Sequence, residues 1–92
     1  MKIAKIDANQ PEIVQALRKA GCTVQTLAAV GKGVPDLLVG LRGSNFLLEI
    51  KDGKRPPSQK KLTDDQVAWH KAWGGSVTVV ENPDQALRAV GL

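Results

Sequence analysis

Aromatic side chains are nearly absent: two tryptophans (Trp69, Trp73), one phenylalanine (Phe46) and no tyrosine. A sheet that stacks unpaired RNA bases on its aromatics is therefore not expected. Cysteine occurs once, at Cys22, which excludes an internal disulfide and any multi-cysteine zinc site. That lone thiol reads as a small buried hydrophobe, and a reducing, cytoplasmic setting fits it. Histidine also occurs once, at His70, and reads as a surface or interface residue rather than a catalytic base. No apolar run approaches the ~20 residues that would cross a bilayer, so no membrane partner is expected. The opening Met-Lys-Ile-Ala-Lys-Ile lacks the apolar core of a secretion signal. Gly31-Lys32-Gly33 does not extend into the Gly-x-x-x-x-Gly-Lys-Ser/Thr loop that cradles phosphates, so no nucleotide cofactor is expected.

What is present is an ordinary globular composition, 42% hydrophobic and 24% charged over 92 residues. It reads as one domain, 1–92, without repeats or low-complexity tracts. A chain this short buries only ~60–65% of its unfolded surface, which makes oligomerisation a natural source of extra stability. The net charge of +4 is compatible with a polyanionic partner.

Hydrophobic periodicity divides the chain into seven elements. Ile13, Ala16, Leu17 and Ala20 recur at helical spacing, with Pro11 in the first turn and Gly21 as a stop, so residues 10–20 form a helix. Residues 22–27, 34–41 and 45–51 read as strands, the last two joined by Arg42-Gly43-Ser44 as an antiparallel hairpin. Residues 52–61 hold Gly53, Pro56, Pro57 and four cations, and must be a loop. Thr63-Asp64-Asp65-Gln66 has the Thr-x-x-Gln form of a capping box and opens a helix to about Trp73. Residues 76–80 are a β-branched strand, and Asn82-Pro83 starts a last helix that stops at Gly91. The order is αβββαβα, an α/β fold with helices packed on a small central sheet.

The stretch from Gly33 to Lys51 carries the chemistry. Asp36 follows Pro35 and leads into an apolar strand, while Glu49 and Lys51 end the next one. Side chains alternate along a strand, so Glu49 and Lys51 share a face, ~7 Å apart. Charged groups at the end of a core strand are rare unless paired or holding a cation. Two carboxylates on adjacent strands can hold Mg²⁺ or a similar hard ion, with the Ile50 carbonyl as a further oxygen donor. Lys51 can position a nucleophilic water or stabilise charge on a phosphate.

Gly33-Val34-Pro35-Asp36 followed by Glu49-Ile50-Lys51 resembles the Pro-Asp…(Asp/Glu)-x-Lys signature of the PD-(D/E)XK nucleases, whose core is restriction-endonuclease-like. With the later Gln66-Val67-Ala68-Trp69 on a helix, it resembles more narrowly the VRR-NUC family, the virus-type replication-repair nucleases. The resemblance spans residues 7–80. It implies an Mg²⁺- or Mn²⁺-dependent endonuclease acting on DNA, in which Asp36, Glu49 and Lys51 form the site together with Gln66. It also implies an acidic metal-side residue from the first helix, for which Glu12 is the best match and Asp7 and Asn9 are the other polar candidates. Glu12 can equally be a first-turn glutamate favoured by the helix dipole, and Gln66 a capping-box residue alone. Lys54, Arg55, Lys60 and Lys61, with Lys32 and Arg42, are candidate phosphate contacts. Stand-alone relatives resemble phage-borne enzymes of the bacterial cytoplasm that cut branched DNA such as Holliday junctions, which implies a homodimer. The rival readings are a non-catalytic DNA-binding or assembly subunit with this fold, and a general nicking endonuclease without junction preference. Trp69 and Trp73 share a helix face and read as core or dimer contacts.

Overall fold

The computed structural model describes residues 7–92, so the N-terminal hexapeptide of the signal-sequence test lies outside the described residues. The elements follow the expected order: α1 (Gln10–Lys19), β1 (Thr23–Thr26), β2 (Leu37–Leu41), β3 (Ser44–Ile50), α2 (Asp64–Ala72), β4 (Val77–Val80) and α3 (Pro83–Ala89). One further element, a single 3-10 turn at Pro57–Gln59, lies inside the proline-containing loop. The four strands make one mixed sheet in the order β1-β2-β3-β4. β1, β2 and β3 are antiparallel neighbours, and β4 runs parallel to β3.

The hairpin between β2 and β3 is as tight as its sequence suggests. Leu41 pairs with Ser44, and the two residues between them, Arg42 and Gly43, have φ of 51° and 82°. Two positive φ values in a two-residue loop make the turn whose twist matches that of the flanking strands.

One face of the sheet carries the core. Leu37 and Val39 of β2, Leu48 and Ile50 of β3, and Val80 of β4 pack with Ile13 and Leu17 of α1 and with Ala86 and Val90 at α3. Burying each large side chain there contributes ~1.5–3 kcal/mol. Cys22 is buried in the same cluster, as a small hydrophobe would be. Alternation sends Leu38, Leu47 and Glu49 to the opposite face, where α2 packs.

Asn9 precedes α1 but does not cap it with its side chain. Its amide donates instead to the carbonyls of Lys51 (3.1 Å) and Glu81 (2.9 Å). Together with the Lys51 N–H donating to Val80 O at 3.0 Å, this ties the start of α1 across the ends of β3 and β4.

Candidate active site

The β2–β3 register brings the two carboxylates together. Leu37 faces Leu48 as the last pair of the ladder, so one step further Asp36 comes opposite Glu49. The Ile50 N–H donates to Asp36 Oδ2 at 2.6 Å, holding that carboxylate against the Ile50 backbone. Val80 pairs with Ile50 from the other side and closes the strand end.

Glu49 is only 1% exposed, although it is ionisable. Helix α2 supplies partners for both of its oxygens. Gln66 Nε2 donates to Oε2 at 3.3 Å, and His70 Nε2 lies 3.0 Å from Oε1. Gln66 and His70 are four residues apart and therefore share a helix face. The Gln66 carbonyl oxygen in turn accepts from Lys51 Nζ at 2.7 Å and from the Thr63 N–H at 2.9 Å. Thr63 Oγ1 accepts from the Gln66 N–H at 3.2 Å, completing the capping box. The capping reading of Gln66 is met, and the same cap aims its amide at Glu49 and Lys51.

The electrostatics follow from this crowding. Burial pushes the Glu49 carboxyl up to about 9. A hydrogen bond to Asp36 and repulsion from Asp36 and Asp7 act in the same direction, against the pull of Lys51. Near neutral pH Glu49 therefore keeps its proton and shares it with Asp36, as paired carboxylates do. Burial, then the Lys51 charge, holds His70 below its ordinary value. Across the 3.0 Å contact, the pair is a neutral hydrogen bond rather than an ion pair.

Asp36 and Glu49 offer hard oxygen donors, and the Ile50 backbone is packed against Asp36. No group of three or more His, Cys, Asp or Glu side chains suited to a metal ion forms among the described residues. This set fits Mg²⁺ or Mn²⁺, which take one or two protein carboxylates and complete their shell with water and phosphate. A buried carboxylate that retains a proton up to about pH 9 despite the pull of Lys51 is a place where a cation can take the proton's role.

Three sequence expectations need correction. Glu12 is not brought to this site: it is exposed and lines a separate polar pocket with Asp52, Lys54 and Glu81. The third carboxylate whose charge reaches Glu49 is Asp7, just before α1. The resemblance favours Glu12 because it implies an acidic residue on the first helix, and Asp7 precedes that helix. His70 is not a surface or interface residue, since its side chain is 16% exposed and rests on Glu49. The Gln66-x-x-x-His70 spacing was the signal that could have found it. Arg42 sits at the far end of β2, roughly 20 Å from Asp36 by the rise of a strand, where its charge reaches Cys22.

The other candidate cations divide by their partners. Lys60 pairs with Glu81 at 2.8 Å, and Arg55 contacts Asp52 at 3.7 Å and Gln59 at 3.1 Å. Lys32, Lys54 and Lys61 are exposed. Trp69 and Trp73 stack with ring centroids 4.8 Å apart and, with Leu38 and Leu47, line an apolar trough of about 600 Å³ beside the site.

Comparison with known proteins adds one finding. A solved structure described as a VRR_NUC domain is 29% identical to this chain, with 88% of each chain covered and a TM-score of 0.64. No protein-family model and no curated protein matches the chain.

Proposed function

We propose, on its 29% identity to a VRR_NUC domain over 88% of each chain and on the geometry of the site, that the protein is a divalent-metal-dependent endonuclease that hydrolyses phosphodiester bonds in DNA. The observation that carries this reading is the facing of Asp36 and buried Glu49 across β2 and β3, with Lys51 held beside them by Gln66. Asp36, Glu49 and the Ile50 carbonyl would hold Mg²⁺ or Mn²⁺, with Asp7 adding negative charge nearby. Such an ion, when bound, polarises the phosphate and lowers the pKa of its water.

The chain's own residues account for the remaining work. Glu49 would serve as a ligand once its proton has passed to solvent, and Asp36 is pre-oriented by the Ile50 N–H. Lys51 keeps its ammonium within reach of a phosphate oxygen or an attacking water because the Gln66 carbonyl anchors it at 2.7 Å. Charge building on the phosphate then meets a fixed cation that need not reorganise. Exposed Lys32, Lys54 and Lys61 are the candidates to hold the DNA backbone. A branched substrate such as a Holliday junction and a homodimer complete the proposal, since paired cuts need two sites related by a two-fold axis.

The test incubates the protein with Mn²⁺ or Mg²⁺ and labelled single-stranded, duplex, flap and four-way-junction DNA. Cleavage that Asp36→Ala and Lys51→Ala abolish is expected, strongest on the junction. Asp7→Asn should raise the half-saturating metal concentration by ~10–100-fold, the scale for losing an outer group at a metal site. Glu12→Gln should leave the rate unchanged. No cleavage of any DNA, or equal cleavage by the Asp36 variant, would remove the nuclease reading. Equal cutting of all forms would remove the junction preference, and a monomer by sedimentation would remove the dimer.

A further inference from the structure

Resting on the nuclease reading, we propose that His70 is a positioning residue that clamps Glu49 together with Gln66, fixing the direction its carboxylate presents to the metal. A glutamate carboxylate turns easily about its last torsion, which has broad minima. Left alone at the end of β3, it would present its oxygens over a range of angles. Gln66 restrains only one oxygen, at 3.3 Å, and its own orientation is set by Lys51 and Thr63. The shorter contact, 3.0 Å to the other oxygen, comes from His70.

Nothing about the imidazole is loose. It follows Gln66 by four residues on the same helix, so one rigid element delivers both contacts. The Trp69 ring stands against it edge to face, at 6.3 Å and 79°. Two side chains fixed one turn apart thus contact both oxygens of one carboxylate, which a single contact cannot do. Groups that orient a metal ligand in this way typically govern affinity by 10–100-fold.

The experiment measures Mn²⁺ binding to the DNA-free protein by paramagnetic resonance of the free ion, and Mn²⁺ dependence of cleavage in parallel. His70→Ala and His70→Phe both delete the nitrogen, one leaving space and the other filling it, so a packing defect in either is recognised from its melting midpoint. His70→Gln keeps an N–H near the position of Nε2. Expected is a ~10–100-fold rise in the half-saturating Mn²⁺ concentration for the Ala and Phe variants. Turnover should largely recover at saturating Mn²⁺, and His70→Gln should stay within a few-fold of the unaltered protein. Unchanged Mn²⁺ binding in folded Ala or Phe variants would overturn the clamp, as would a Gln variant as impaired as they are. If the unaltered protein cleaves and binds Mn²⁺ while the variants match it, only the clamp is lost. If the unaltered protein does neither, the nuclease reading fails first.

Discussion

Glu49 ties protonation to stability in one side chain and, under the proposed function, to metal binding as well. Folding raises its pKa from 4.5 to about 9, so across that window the folded state holds a proton that the unfolded state releases. Stability therefore falls as pH rises through the window. His70 acts in the opposite sense: its pKa is lowered from 6.5, so its contribution is present above that value and is lost as pH falls. Between 6.5 and about 9 Glu49 dominates. There the metal-free protein should lose up to about 1.4 kcal/mol per pH unit, the limit for one proton. Denaturant unfolding in chelator at stepped pH checks this, and Glu49→Gln should flatten the curve. A cation that replaces the proton reverses the trend, so apparent Mn²⁺ affinity should climb with pH. At this scale Asp36, Glu49 and Lys51 were legible, because strand alternation and a Pro-Asp turn are local patterns. Asp7 was less so, since it lies outside any periodic element and reaches Glu49 only through the folded chain.

Helix α2 is the element on which the site depends, and a glycine sets its seat. Gly33 has φ of 83° and lies so close to the Asp65 carbonyl and the Gln66 N–H that a Cβ would collide with that backbone. Gly31, with φ of 71°, meets nothing. An alanine at either position costs about 1–2 kcal/mol of left-handed strain. Only Gly33→Ala must also push the first turn of α2, and with it Gln66, away from Lys51. Both variants should melt about 4–8 °C lower per kcal/mol lost, but only Gly33→Ala should lose most of its cleavage, as melting curves and a cleavage assay would show. The capping box at Thr63 and the Arg42-Gly43 turn were readable because a few adjacent residues determine each. The parallel pairing of β4 with β3 was not, because it depends on how a distant strand packs back after α2.

For the molecule as a whole, the net charge of +4 counts less than where the free cations stand. Lys60 and Arg55 are engaged with Glu81 and Asp52, and Arg42 is at the opposite end of the sheet from the site. Lys54→Ala and Lys61→Ala should each reduce the salt slope of DNA binding by about 0.9, the value per duplex phosphate contact. Arg42→Ala should leave the slope unchanged, and fluorescence anisotropy across a salt series distinguishes the two. Composition could show the surplus of positive charge, but its distribution waits on which acids the fold places beside it. The amide of Asn9, bonded to the carbonyls of Lys51 and Glu81, has a consequence in time. During synthesis the ribosome has made β3 once residue 50 is added, yet Gln66 and His70 come later, and β4 with the Glu81 carbonyl later still. A growing chain therefore cannot assemble the carboxylate pair in its finished surroundings. Asp36 and Glu49 thus gain those surroundings only after the Glu81 carbonyl has emerged and closed against the start of α1.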